Sequence, residues 1–281
     1  MEIRYLTREE HKRSRILYEE VFIEDEQAFV DAYYEIKGAD NEILVVEDEG
    51  NIVSMLHRNP YTFLFRDSSV RADYLVAVAT KRTYRHQGLM RSLLTKALCD
   101  MAAEKMPFTF LMPADEAIYT PFDFCLMGNE DEASLSKLSR EQLAEDYELF
   151  VKKDDDYRRR QIPWPEWETT PMMMRLVHLP SFVAKVGAEE EQSFILTVKD
   201  PIISQNNRTF LWKFGLDSSS LTPVEEEPDL CVSIKELGSF LCGMIGAEEL
   251  SEIKCSKNST EVIKKLEKIQ VLNGIYINEV V

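Results

Sequence analysis

Apolar positions along this chain alternate between two spacings. In EILVVEDEGNIVSMLHR (42–58) two apolar runs flank an acidic turn at Gly50-Asn51, which predicts a β-hairpin. YTFLF (61–65) and DYLVAVAT (73–80) predict two more strands. From Gly88 to about Lys105 the spacing changes, with Leu89, Met90, Leu93, Leu94, Ala97, Leu98 and Met101 falling three and four apart. That spacing predicts a helix with one buried face. FTFLM (108–112) reads as a strand, ADEAIYTPF (114–122) as a short helix ended near Pro121, and DFCLM (123–127) as another strand. Near the N-terminus, Thr7-Arg8-Glu9-Glu10 forms a capping box that opens a helix through about Val21. A second helix is expected over 24–38, stopped by Gly38. The β–α–β stretch from Tyr74 to Met112 needs a right-handed crossover, so those two strands are expected to be parallel in an otherwise antiparallel sheet. This is an α/β layer with a mixed sheet, spanning 1–130.

Residues 131–170 differ. They are strongly charged, with one helix expected from Ser139 to about Lys152, followed by the proline- and tryptophan-rich IPWPEWETTP. They read as a charged helical linker, with the domain boundary near 165. From Met172 the pattern restarts. MMMRLVHLPSFVAKV predicts a strand and a short helix, and strands follow at 193–200, 209–214 and 230–234. Helices are expected over Lys235–Ile245 and Thr260–Gln270, and the tail GIYINEVV is extended and apolar. Residues 171–281 thus form a smaller α+β domain with an antiparallel sheet.

Composition bounds the function. The chain has 281 residues, 44% of them hydrophobic, which suits two ordinary domains with real cores. The net charge is −17, which argues against a nucleic-acid partner and is compatible with cationic small molecules or basic peptides. The acidity is shared, −8 in 1–130 and −9 in 131–281, so it marks no focused site and also suits mere solubility. No apolar run is long enough to span a bilayer, and MEIRYLTREEHKR lacks the apolar centre of a signal peptide, so a cytoplasmic, membrane-free protein is expected. The five cysteines are scattered, with no CxxC and no Cys/His cluster, so neither disulfides nor a metal site is expected.

The stretch TYRHQGLMRSLL (83–94) carries the chemistry. A strand, a basic loop, a glycine and an amphipathic helix make an anion site, because the first N–H groups of a helix lack internal partners and carry the positive end of its dipole. Arg85 and His86 add local positive charge. The alternative is that Gly88 only fits a tight strand-to-helix turn.

VATKRTYRHQGLMRSLL (78–94) resembles motif A of the GCN5-related N-acetyltransferases, R/Q-x-x-G-x-G/A after a strand, with Met90 standing at the last position. AIYTPFDF (117–124) resembles the I-Y-x-x-[FY]-x-[FY] segment of the Eis-like (enhanced intracellular survival) branch. The residues from MMMRLVHLPSF onward resemble that branch's sterol-carrier-protein-like domain. The resemblance covers 1–127 and 172–281. The central second acetyltransferase-like domain usual in that family has no room here; residues 128–170 stand in its place.

The resemblance implies a set of roles. Acetyl-CoA would bind with its pyrophosphate on the amides of Arg85, His86, Gln87, Gly88, Leu89 and Met90. Its pantetheine arm would pair with Val78 and Thr80, as an extended amide chain adds to a strand edge. Tyr119 would protonate the departing CoA thiolate, and the main-chain carboxylate of Val281 would be the general base. Glu279, in the same tail, is a second candidate base. The acidic loop at Glu24 and Asp25 is a candidate rim for the amine, or a solvated helix start. His57 and His178 read as structural. The implied function is an acetyl-CoA-dependent N-acetyltransferase acting on a small-molecule or peptide amine, in a homo-oligomer. The competing reading is an inert acetyltransferase fold whose C-terminal domain holds a lipid or hydrophobic ligand.

Overall fold

The computed structural model describes residues 1–127, 140–162, 172–252, 259–277 and 279. The chain opens with strand β1 (Glu2–Tyr5), then a 3-10 segment Arg8–Ser14 that runs into helix α1 (Arg15–Val21). The Glu10 carboxylate accepts from the Thr7 N–H at 3.0 Å, as the capping box predicts. The first turns are nevertheless 3-10, and the Ser14 hydroxyl binds the His11 carbonyl at 2.7 Å, a local bond that competes with α-helical pairing. Helix α2 (Gln27–Ala32) continues as a π-turn Tyr33–Lys37 before Gly38.

Strands β2 (Glu42–Asp48) and β3 (Asn51–Phe65) form the expected hairpin, turning through Glu49 and Gly50 at positive φ. The segment expected as a separate strand at 61–65 is the second half of β3, which runs straight through Pro60. The proline is tolerated because of where it falls. β2 leaves β3 at Arg58 and a different strand joins only at Phe63, so the missing N–H faces a gap in the sheet. The Pro60 carbonyl faces the same gap and accepts from Arg160.

Strand β4 (Ser68–Thr80), helix α3 (Leu89–Ala103) and strand β5 (Phe108–Leu111) make the parallel crossover. Helix α4 (Glu116–Tyr119), a 3-10 turn Thr120–Phe122 and strand β6 (Cys125–Leu126) follow. Helix α5 (Arg140–Asp146) is shorter than the sequence suggests. Leu149, Phe150 and Val151 form strand β7 (Leu149–Val151) instead, pairing with Phe63–Phe65 of β3. All three are buried, and tertiary pairing outweighs their helical surroundings. Helix α6 (Asp155–Arg159) comes next. Strand β8 (Met173–Leu176) joins the first sheet between β5 and β6. That sheet reads β1-β2-β3-β4-β5-β8-β6, with β7 on β3 and strand β13 (Ile275–Tyr276), from the tail, parallel to β7.

The rest is a four-stranded sheet, β11-β10-β9-β12, with its own helices. After helix α7 (Leu179–Val183) it contains β9 (Gln192–Lys199), β10 (Thr209–Phe214), β11 (Ser219–Pro223) and β12 (Leu230–Ser233). Helices α8 (Ile234–Leu241), α9 (Ala247–Glu252) and α10 (Ser259–Glu267) follow. The sheet is not purely antiparallel, because β12 pairs with β9 in parallel. One apolar cluster runs unbroken from Phe63 and Phe110 through Met174 and Phe182 to Trp212 and Phe240. No helix among the described residues is long and apolar enough to cross a membrane.

Candidate active site

The first sheet splays open at the junction of β4 and β5. The two strands pair only at Asp73–Thr109 and Tyr74–Phe110. The Thr109 hydroxyl closes this apex by donating to the Asp73 carbonyl at 2.7 Å. Beyond it, from Leu75 to Thr80, β4 has no strand neighbour on that side among the described residues. The pairing of β4 with β3 slips by one residue here, with Ala77 at φ +52. A bulge of this kind re-aims the backbone at the price of an unfavourable alanine conformation. Ser54 supports it, donating to the Ala79 carbonyl at 2.9 Å and lying 2.8 Å from the Thr80 hydroxyl.

At the wide end of the opening, the loop after β4 is pinned on three sides. Lys81 pairs with Glu20 of α1 at 3.5 Å, the Tyr84 hydroxyl donates to Asp48 at 2.9 Å, and Arg85 Nε donates to the Thr80 carbonyl at 3.1 Å. His86 sits at φ +62 and Gly88 at φ +77, as the cap residue of α3. Among the described residues, no hydrogen bond uses the backbone N–H groups of residues 86 to 91. Six consecutive amides are therefore free at the start of a 15-residue helix, a concave donor surface suited to an anion. A Cβ built on Gly88 would meet nothing within 4 Å, so its positive φ, rather than crowding within the protein, is what asks for glycine.

On the β5 side, Asp115 caps α4 by accepting from the Ala117 N–H at 2.9 Å. The helix delivers Tyr119 to a buried position, its ring edge-on to Phe124 at 6.0 Å. Burial pushes the Tyr119 phenol up to about 12, so it stays a proton donor at neutral pH. The following turn faces α3, with the Arg91 guanidinium 4.9 Å from the centre of the Phe122 ring. A shallow hollow of about 600 Å³ lies beside α4, lined by Pro113, Asp115, Ala117 and Thr120.

The apex carries a second set of side chains. Tyr74 stacks on Phe110 at 5.0 Å, and Tyr61 lies against both. Lys37, buried at 1% exposure, donates to the Tyr61 hydroxyl at 3.1 Å. The Tyr157 hydroxyl donates to the Glu279 carboxylate at 3.3 Å. Glu279 is itself buried, and burial raises its carboxyl to about 7. Burial, helped by the Arg160 charge, lowers Lys37 to about 8. The Tyr74 phenol is raised by burial and then by the charges of Glu279 and Tyr119. The opening carries free amides at its wide end and a buried phenol on its β5 side, and the rings of Tyr74, Tyr61 and Tyr157 lead from its apex to the buried carboxyl of Glu279. Such a constellation can hold an extended anionic ligand and move protons at its tip.

Residues 2–127 match the family model of the acetyltransferase (GNAT) domain, and residues 179–272 match that of the sterol carrier protein domain. Residues 2–127 are thus similar to an acetyltransferase (GNAT) domain and residues 179–272 to a sterol carrier protein domain. Its fold is that of a conserved Enterococcus faecalis protein described as a probable N-acyltransferase, with a TM-score of 0.78 at 13% identity over 98% of this chain and 99% of that one. A GCN5-related N-acetyltransferase from Anabaena variabilis superposes with a TM-score of 0.71 at 14% identity, covering 95% and 97%. Eis1 from Mycobacterium abscessus superposes with a TM-score of 0.67 at 15% identity, covering 98% of each chain. No curated protein matches the sequence.

Within the acetyltransferase domain the structure groups most of the residues singled out in the sequence. Val78 and Thr80 lie, half-buried, on the unpaired stretch of β4. Arg85, His86, Gln87 and Gly88 are exposed in the amide loop, while Leu89 and Met90 turn half-buried onto the core. Tyr119 stands on the facing wall. Glu24 and Asp25 are exposed between α1 and α2, and Asp25 is engaged by the Tyr18 hydroxyl at 2.7 Å rather than by any residue of the opening. Val281 lies outside the described residues. His57 is buried and neutral, lowered to about 3 by burial, with its Nδ1 2.8 Å from the Tyr33 hydroxyl, which fits a structural role. Among the described residues no group of histidine, cysteine and carboxylate side chains could hold a metal ion.

Lys37, Tyr61, Tyr74 and Tyr157 escaped the sequence reading. Tyr61 and Tyr74 looked like ordinary strand aromatics, and Tyr157 sits in the charged run DDDYRRR. The only sequence cue was a lone aromatic inside a solvated stretch.

Proposed function

We propose that the protein moves an acetyl group from acetyl-CoA to a primary amine, on a small cationic molecule or a lysine side chain. The observation that carries this reading is the run of six free amides at the wide end of an unpaired strand edge. The residues fit the cofactor. The pyrophosphate takes the amides of residues 86 to 90, with Arg85 and His86 beside them, and the pantetheine amides pair along β4 at Val78 and Thr80. The named activities of the structural relatives from Enterococcus and Anabaena point the same way.

In the reaction the amine nitrogen attacks the thioester carbonyl, the carbon–sulfur bond breaks, and the amide forms. Tyr119 gives its proton to the leaving thiolate. CoA leaves as the thiol, and the tyrosinate, whose acid is raised to about 12 and which is a stronger base than a thiolate of acid pKa near 8.5, recovers its proton through solvent from the second proton that nitrogen sheds as the amide forms. The proton of the substrate ammonium goes to a carboxylate of the tail. Glu279, poised near 7, is suited to that exchange; the main-chain carboxylate of Val281 is the other tail group in this role. Glu24 and Asp25 supply negative charge at the acceptor rim.

Incubation with acetyl-CoA and a panel of polyamines, aminoglycosides and lysine peptides tests the reading. Thiol release above hydrolysis with at least one amine is expected. No amine-dependent release across the panel would overturn it.

A further inference from the structure

We infer that the sterol carrier domain positions the proton donor of the acetyltransferase domain, through a brace that runs from Asp200 to Arg175 to the turn after Tyr119. The inference rests on Tyr119 being that donor.

The turn is short and its shape is set at a few atoms. Tyr119 ends α4, the 3-10 turn Thr120–Phe122 follows, Asp123 takes a left-handed conformation at φ +63, and Phe124 returns to lie against the Tyr119 ring. The Phe122 carbonyl is the anchor of this loop, and its partner is Arg175 of β8. Arg175 is 1% exposed and held at each guanidinium nitrogen: Nε donates to Phe122 O at 2.7 Å, Nη1 to Leu176 O at 2.7 Å, and Nη2 to Asp200 Oδ1 at 2.8 Å. A planar fork holds three acceptors in fixed directions, which a lysine cannot do.

Asp200 lies within the sterol carrier domain and is 2% exposed. It is the centre of a compact loop. It accepts from the Ile202 and Ile203 N–H groups at 3.0 and 2.9 Å and from Asn206 Nδ2 at 3.0 Å. Asn206 in turn donates to Val177 O at 2.7 Å and accepts from the Leu179 N–H at 3.2 Å, next to β8 and at the start of α7. The same loop touches the cofactor-side helix, with Cys99 Sγ of α3 3.6 Å from the Ile202 carbonyl. The Tyr119 turn is thereby held from two sides, by Arg91 of α3 over the Phe122 ring and by Arg175 at the Phe122 carbonyl. Removing the Asp200 charge weakens the hold on Nη2, leaves the guanidinium on two neutral carbonyls with only Asp123 of the turn itself, 3.9 Å from Nη2, as a charged partner, and loosens the donor at Phe122 O. A proton donor displaced by even an ångström loses much of its rate advantage.

A double-mutant cycle on the full-length protein tests this, assayed with acetyl-CoA and whichever amine of the panel gives the fastest thiol release. Tyr119→Phe is expected to lower kcat about 100-fold. Asp200→Asn is expected to lower kcat about 10-fold with the KM for acetyl-CoA unchanged, and to have no further effect on the Tyr119→Phe background. Arg175→Lys should reproduce the pattern. Independently of turnover, Asp200→Asn should move the Tyr119 ring-carbon resonance in carbon-13 tyrosine-labelled protein while leaving those of Tyr33 and Tyr74 in place. An equal drop on both backgrounds, or an unmoved Tyr119 resonance with kcat intact, would overturn the brace. If Tyr119→Phe alone leaves kcat unchanged, it is the donor assignment that falls, and the brace falls with it.

Discussion

Gly88, Tyr119 and Glu279 each owe their proposed role to a different physical constraint. Gly88 holds φ +77 beside open space. Gly88→Glu places a strained residue and a carboxylate where six amides await an anion, so acetyl-CoA affinity should fall at least about 100-fold by calorimetric titration. Stability should fall only by about 1–2 kcal/mol, because nothing in the protein is displaced. Glu279 is governed by burial. Ionised, it is a base, so kcat/KM should rise through about pH 7, and Glu279→Gln should remove that limb of the profile. Its folded pKa lies above the unfolded value, so it contributes stability at low pH that is lost as pH rises through about 7. Glu279→Gln should therefore gain on the parent in urea midpoint between pH 5 and 8, with little difference at pH 5; a constant offset would refute buried titration. Gly88 was legible in the sequence because backbone demands leave a residue-type trace. The neighbours of Glu279 were not, because Lys37 and Tyr157 lie 242 and 122 positions away in the chain.

At the scale of elements, periodicity located most helices and strands and failed where one segment borrows its structure from another. β3 crosses Pro60 only because the sheet has a gap there, between the end of β2 and the start of β7. β7 looked like the end of a helix, yet it forms because Phe63–Phe65 on one side and Ile275–Tyr276 on the other offer it hydrogen bonds and apolar cover. β7 is the link between the central sheet and the tail that carries Glu279. Leu149 is fully buried in it. Leu149→Ala should cost about 2–5 kcal/mol in chemical denaturation. It should also lower kcat by loosening the tail; full activity in the folded variant would argue against the tail's part in the site.

The whole molecule does not separate cleanly along its sequence. β8, from the start of the second half, is the strand next to β5, and Arg175 on it reaches both the Tyr119 turn and Asp200. β13 returns from the tail to the first sheet, and one apolar cluster passes through both sheets. Thermal unfolding should accordingly show a single transition with calorimetric and van't Hoff enthalpies in agreement. Two resolved transitions would show that the halves fold independently despite these strands. The sequence by itself determined what depends on near neighbours: the hairpin, the crossover helix, the glycine turn at the start of that helix, and the motif order that points to an acetyltransferase and a sterol carrier domain. Those features follow from backbone sterics and from apolar spacing within a few turns of chain. Only the tertiary structure decided which distant groups meet at the apex, that the charged segment supplies a strand and Tyr157, and that Arg175 joins Asp200 to the turn after Tyr119. Burial and charge at that apex arise from residues brought together by packing, and no local spacing records them.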